Sequence, residues 1–365
     1  VTDAFLRQTE FSAMTALFLE SFDFYGSVSD LSQQWLVNNF TSLLASAGTA
    51  FVAGQGVCAY ATGTIGTAVF NTGTNESTVY GSVRLKAEAG LLVSGSYPTY
   101  QIALEFLDGA NAQCSIVWQA DGTLYVKSGS ITGTNLGTYV AAFPANTWDS
   151  YQFHIVFSAT AGSVEIRMDG SSTPIVSLTN VNTQAGSANS YANGFSFVAQ
   201  AGSPFQLDDL FISSGSGAAP NGWLGDLRSV MQYPTGAVQT QFTPAPSGGP
   251  GNYALVGAAT EDEGTTLVAS STAGAEDLYS MSPLGVTTSA IVGVNFFAVM
   301  EKTSTGARTA GVQVIANGSA DTTVASGSPA TSWGKIQGFL PVDPTGAAWT
   351  VSTVNGAHVG IKVIS

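Results

Sequence analysis

A chain of 365 residues is longer than one hydrophobic core usually organises, so two domains are expected. Hydrophobic residues make up 44% of it and charged residues only 9%, with 42 glycines, and 20 Phe, 12 Tyr and 6 Trp give it bulk to bury; this composition argues against disorder and implies a neutral-polar surface. The 24 acidic and 10 basic residues leave a net charge of −14, which repels phosphate backbones and anionic lipid, so nucleic acid and membranes are not expected partners.

Residues 1–10 mix Asp3, Arg7 and Glu10 with apolar side chains and lack the basic-then-apolar signature of a secretory signal. Residues 4–16 and 30–46 approach helical spacing, the second through Leu31, Trp35, Leu36 and Phe40, but neither stretch is long or well capped. Elsewhere short β-rich runs bounded by Gly, Asn, Asp and Ser recur, the pattern of a sandwich or barrel. Residues 54–59 match a dinucleotide-binding glycine pattern in form only, because no helix follows, and read as the entry to a strand. Strands are predicted over 80–88, 101–107, 114–119 and 124–127, with Asp108-Gly109 and Asp121-Gly122 supplying turns that need positive φ, so that 104–107 folds back on 115–118. Cys58 and Cys114 are too few for a disulfide framework; buried free thiols are favoured, with a single bridge left open. Apolar stretches such as 290–300 fall short of the roughly 20 residues of a bilayer helix, and a soluble chain is expected.

Residues 148–170 are the most informative. Tyr151, Phe153, Ile155 and Phe157 share one face of a strand; after a small-residue turn, Val164, Ile166 and Met168 share the core face of the next, opposite Glu165, Arg167 and Asp169. A tryptophan opening a strand before the Gly162 to Gly170 hairpin strand, followed by the runs 194–197 and 205–212, resembles the laminin-G and concanavalin A-like lectin superfamily. The resemblance implies a jelly-roll sandwich over 20–215, after an N-terminal arm at 1–19. A Ser/Gly/Ala linker at 216–222 then precedes a second β-sandwich over 223–365, with strands near 267–270, 290–301, 310–316, 334–341 and 358–364. Phe22-Asp23-Phe24-Tyr25, Leu224-Gly225-Asp226-Leu227-Arg228, the Pro/Gly-rich loop at 243–252, Asp277-Leu278-Tyr279 and the closing 349–363 are similar to bacteriophage structural proteins. The fold class expected is therefore all-β, two β-sandwich domains, the first a concanavalin A-like jelly roll.

Chemistry is sparse. The Glu-x-Asp-x-Glu strand by which one enzyme branch of this superfamily cleaves polysaccharide is absent; Glu165 and Asp169 come nearest and read as a solvated, locally paired strand face. His154 and His358 have no partner at metal-ligand spacing, and no Gly-x-Ser-x-Gly is present. Asp208 and Asp209 are candidate calcium ligands, although a strand sends neighbours to opposite faces, and 261–263 is a weaker candidate. No other cofactor is implied. Sugars stack on aromatic faces while amide and carboxylate side chains hydrogen-bond their hydroxyls, so Tyr97, Tyr100, Tyr191 and Tyr253 are candidate glycan-binding residues, with Trp118 as a further loop-edge aromatic. The resemblance and the absent catalytic sets predict a non-enzymatic virion component, a tail or capsid-surface appendage. Its expected partners are other virion proteins, copies of itself and a host-surface glycan. The alternative is a secreted lectin or polysaccharide-active enzyme, for which Asn39, Asn75 and Asn317 head formal glycosylation triplets.

Overall fold

The computed structural model describes residues 16–22, 25, 27–44, 56–59, 63–70, 73–87, 101–119, 121–140, 147–200, 205–217, 220–247, 251–257, 266–285 and 290–365. The chain is all-β, and its first module is a jelly-roll sandwich of two antiparallel sheets. In spatial order sheet I runs Val176–Val181, Gly162–Met168, Asp149–Val156, Thr78–Ala87, Phe205–Ser214, Gly56–Ala59 and Ser42–Leu44. Sheet II runs Thr134–Tyr139, Leu124–Ser128, Asn111–Gln119, Gln101–Asp108, Gly194–Gln200, Gly63–Val69 and Val37–Asn38.

The core follows from strand alternation. Tyr151, Phe153, Ile155, Val164 and Ile166 of sheet I face Ile102, Leu104, Phe106, Ile116 and Trp118 of sheet II, all at most 2% exposed. Trp118, expected near a binding edge, is thus a core side chain, edge-on to Tyr151 at 5.4 Å. The predicted hairpin is present, with Leu104 opposite Ile116 and Phe106 opposite Cys114; Gly109 and Gly122 take φ of +59° and +85° in the turns. Gly81 is required by the core rather than by a turn, since a Cβ there would lie 2.3 Å from the Phe153 ring. Cys114 is a buried free thiol whose pKa burial pushes up to about 12.

At the N-terminal end the stretch of near-helical spacing builds no α-helix over its described residues, 30–44. Val28–Gln33 is one short 3-10 helix, opened by Asp30 Oδ2 accepting from Ser27 N at 2.7 Å, and short strands follow it. Leu31, Trp35 and Phe40 are buried while Leu36 is 69% exposed, so the near-helical spacing serves an irregular segment capping the sandwich. Trp35 anchors it, with ring centroids 5.3 Å from Phe18, 5.0 Å from Phe40 and 5.5 Å from Phe195. The carboxylate of Glu20 accepts from Phe22 N, Tyr25 Oη and Trp35 Nε1. The end of the expected arm is also a strand, Ala16–Glu20, antiparallel to the C-terminal half of Phe205–Ser214. Residues 4–15 lie outside the described residues.

The second module is a smaller sandwich. A five-stranded sheet in the order Pro234–Gln239, Glu276–Met281, His358–Val363, Ala310–Ile315, Thr322–Gly327 is covered by a two-stranded antiparallel sheet of Val294–Met300 and Gly334–Leu340. Phe296 from this two-stranded sheet meets Val312, Val314 and Trp349 in the core. Where a Pro/Gly-rich loop was expected at 243–252, Thr243–Ala245 pairs with Leu267–Ala269, and Asn252–Val256 forms one helical turn beside them. Among the described residues, no helix is long and apolar enough to cross a membrane.

The modules are held together by more than the connecting chain. The segment 222–229 lies across the outer face of sheet I, where Trp223 packs 3.8 Å from the Arg167 guanidinium and edge-on to Tyr80 at 5.5 Å. His154, on that polar face as expected, stacks on Tyr80 at 4.1 Å, and burial beneath this cover lowers its pKa. Beside it Ala16, Phe211 and Phe339 form an apolar seam with Leu19, Leu224 and Leu227. The connection expected at 216–222 therefore runs into a packed contact.

Candidate functional site

The candidate site is the loop edge of sheet II around Tyr191. Gln113 organises it from beneath. This fully buried side chain donates Nε2 to Ser187 Oγ (2.8 Å), Asn189 O (2.8 Å) and Tyr191 O (3.2 Å), and its Oε1 accepts from Gly186 N at 3.1 Å. One amide thus satisfies the backbone of a loop that has no sheet partner of its own. Gly186 is demanded by close approach, because a Cβ there would sit 2.4 Å from Ala112 O.

On this platform Asp108 ends the strand Gln101–Asp108, and its carboxylate accepts from Asn189 Nδ2 (2.9 Å) and Asn193 Nδ2 (3.3 Å). Asn189 Nδ2 also reaches Tyr191 Oη at 2.9 Å. Asn193 Oδ1 accepts from Gly109 N at 2.9 Å, and its Nδ2 reaches Asn75 Oδ1 at 3.3 Å. A half-buried phenol ring, a carboxylate and two amides are therefore fixed at one exposed edge. Each carboxylate oxygen keeps acceptor capacity beyond the bonds above, and the phenol can still donate. Such a set suits a polyhydroxylated ligand, whose hydroxyls both give and take hydrogen bonds while its C–H face covers an aromatic ring.

The other expected residues are placed elsewhere. Tyr97, Tyr100 and 261–263 lie outside the described residues. Tyr253 is half-buried on the short helix of the second module and does not join Tyr191. Asp208 and Asp209 are both buried and bracket a β-bulge, with Asp209 at φ +47°. Asp208 Oδ1 accepts from Asp209 N, while Asp209 faces Arg84 Nε at 3.3 Å and accepts from Ser229 N at 2.9 Å. That arrangement fastens the 222–229 segment to sheet I and gives calcium no support. Among the described residues, no group of three or more His, Cys, Asp and Glu side chains has metal-binding geometry.

Glu165 pairs with Arg167 at 2.8 Å, as expected of a locally paired strand face. Asp169 does not continue that face: it occupies a turn at φ +51° and accepts from Ser150 N at 2.9 Å. Its neighbour Asp149, 2% exposed, has an Oδ2 with no hydrogen-bond partner, and burial followed by the Asp169 charge raises its pKa to about 7. The folded state thus holds this proton more tightly than the unfolded chain, whose carboxyl titrates near 3.8. Asp149 withdraws stability as pH rises from the lower value to the higher. Asp149→Asn is expected to match the parent in thermal midpoint at pH below 3.8 and to exceed it above about 7, which melting curves across that range check.

No protein-family model matches the chain, and no curated protein sequence does. Similar solved structures include the alginate lyase vAL-1 from Chlorella virus, at 12% identity and TM-score 0.38 over 55% of this chain and 99% of that one. The catalytic domain of a glycoside hydrolase family 131 protein from Coprinopsis cinerea is similar at 14% and 0.37, over 58% and 99%. The carbohydrate binding module CBM66 from Bacillus subtilis is similar at 11% and 0.31, over 48% and 96%.

Proposed function

We propose that the chain is a non-enzymatic surface protein that binds a glycan at the Tyr191 edge of its first sandwich. The observation that carries this reading is the convergence of Tyr191, Asn189, Asn193 and Asp108 on one exposed edge, tied to the buried Gln113. The non-enzymatic part is supported by the engagement of Glu165 with Arg167 and of Asp169 with the Ser150 backbone. Titration of the full chain against a panel of defined oligosaccharides tests it. Tyr191→Ala is expected to weaken binding roughly thirtyfold, as removal of an aromatic anchor does, whereas Tyr191→Phe keeps most of it. Equal binding by parent and Tyr191→Ala would refute this site, and saccharide cleavage lost in Glu165→Gln or Asp169→Asn would refute the non-enzymatic reading.

We place this binding activity on a virion, as a tail or capsid-surface appendage. The support is the order of sequence motifs similar to bacteriophage structural proteins, from Phe22 to the closing strand His358–Val363. Mass spectrometry of purified particles, with immunogold labelling, tests the placement. A chain found free in culture fluid and missing from particles would favour a secreted lectin.

A further inference from the structure

We infer that the cleft between the two modules is a second saccharide site, separate from the Tyr191 edge and independent of it. The cleft, half open to solvent, offers about 360 Å³ between the Ala16–Glu20 strand and the 3-10 helix on one side and the paired strands Val294–Met300 and Gly334–Leu340 on the other. That is within the roughly 300–1,000 Å³ of small-molecule sites, which favour junctions between domains.

Strand alternation builds its chemistry. Cross-strand pairing sets Asn295 opposite Phe339 and Phe297 opposite Gln337, so these four share the face of this two-stranded sheet turned away from the core residues Phe296 and Leu340. Asn295 Nδ2 and Gln337 Oε1 lie 3.4 Å apart, a weak contact that leaves both amides able to engage a ligand. Lys335 reaches across the modules to Gln34 Oε1 at 2.8 Å and stands 4.4 Å from the Phe297 ring centroid, so the ammonium is held in place. Phe339, 6% exposed and part of the apolar seam, lines the same cleft, and Ser326 lies on its wall.

Amides, a hydroxyl and one cation beside an aromatic surface, with no carboxylate among the described lining residues, fit a neutral or acidic sugar unit and disfavour a cationic ligand. An apolar peptide would leave the amides and the ammonium buried without adequate partners.

The test uses the full chain and its Tyr191→Ala variant, with maltotriose and trigalacturonate as probes, followed by titration and by NMR of the Asn and Gln side-chain amides. Binding to Tyr191→Ala is expected to persist, to shift the amide signals of Asn295 and Gln337, and to weaken at least tenfold on Ser326→Trp, which fills the cleft. Gln337→Ala, which removes a ligand group without adding bulk, is expected to weaken it in the same direction with an unchanged thermal midpoint. Binding that vanishes with Tyr191 alone, or that is indifferent to both cleft variants, overturns the cleft site and leaves the Tyr191 reading standing. Binding lost only through the cleft variants does the reverse.

Discussion

Arg84→Met is expected to lower the unfolding free energy by about 3–5 kcal/mol, the cost of leaving a buried carboxylate without its counter-charge. Arg84 is 3% exposed and Asp209 6%, and Nε lies 3.3 Å from Oδ2. The same guanidinium pairs with Asp226 and donates to Leu227 O at 3.2 and 3.3 Å, so one side chain of sheet I fixes the segment entering the second module. Burial lowers the Arg84 pKa, and the charges of Asp226 and Asp209 oppose that shift. Methionine keeps much of the volume and cannot answer Asp209, whereas Asp226→Ala removes a partner that is 38% exposed and is expected to cost about 1 kcal/mol or less. Urea denaturation followed by tryptophan fluorescence separates the two, because Trp223 lies on the released segment. An Arg84→Met variant as stable as the parent would mean that the pair contributes nothing net.

Most of the sandwich is legible in the sequence because it is written in period two. Residues 151–157 and 162–168 declare their core face by alternation, and the observed pairing of Phe153 with Ile166 and Ile155 with Val164 agrees with it. The strands 310–315, 334–340 and 358–363 are found within a residue or two of expectation for the same reason. Pro234–Gln239 and Thr322–Gly327 carry no such signal, since Pro, Gly, Ala, Ser and Thr alternate there with little contrast, and each lies at a sheet edge. The candidate site was half visible. Tyr191 stands out as an aromatic in a Gly/Ser/Asn-rich loop, but Asp108-Gly109 reads only as turn chemistry, and nothing local connects Asp108 to Asn189 some eighty residues on. Gln113 is harder still to find, because a glutamine inside an apolar strand looks like an interruption until its loop is seen folded over it. The 222–229 cover was hidden by composition: the Ser/Gly/Ala run before it signals a mobile connection, whereas the cover itself is held by Trp223, Asp226 and Leu227 meeting partners more than fifty residues away.

Asp277→Ala is expected to cost the second module about 4 kcal/mol. The carboxylate is 0% exposed and accepts four hydrogen bonds: Gln241 N (2.5 Å) and Phe242 N (2.8 Å) at Oδ1, Asn252 Nδ2 (2.6 Å) and Tyr279 Oη (2.7 Å) at Oδ2. These partners come from the turn after Pro234–Gln239, from the one-turn helix and from the strand of Asp277 itself, so one charge joins three elements that share little apolar core. Its removal strands two backbone N–H groups and the Tyr279 hydroxyl, each worth about 1–3 kcal/mol when unpaired, with partial relief from entering water, while Asn252 Nδ2 keeps its bond to Phe242 O at 3.0 Å. Burial, and then Asp277, push the Tyr279 phenol pKa up, which favours the protonated form that donates to Asp277. Asp277→Asn separates charge from shape: its oxygen can still serve both backbone N–H groups, while its NH₂ meets the Asn252 NH₂ head-on. A loss intermediate between parent and alanine is therefore expected, and equal losses for both variants would show that Oδ2, not Oδ1, carries the stability. Hydrogen exchange at Gln241 and Phe242 gives the independent reading, since both amides should lose protection in Asp277→Ala and retain it in Asp277→Asn.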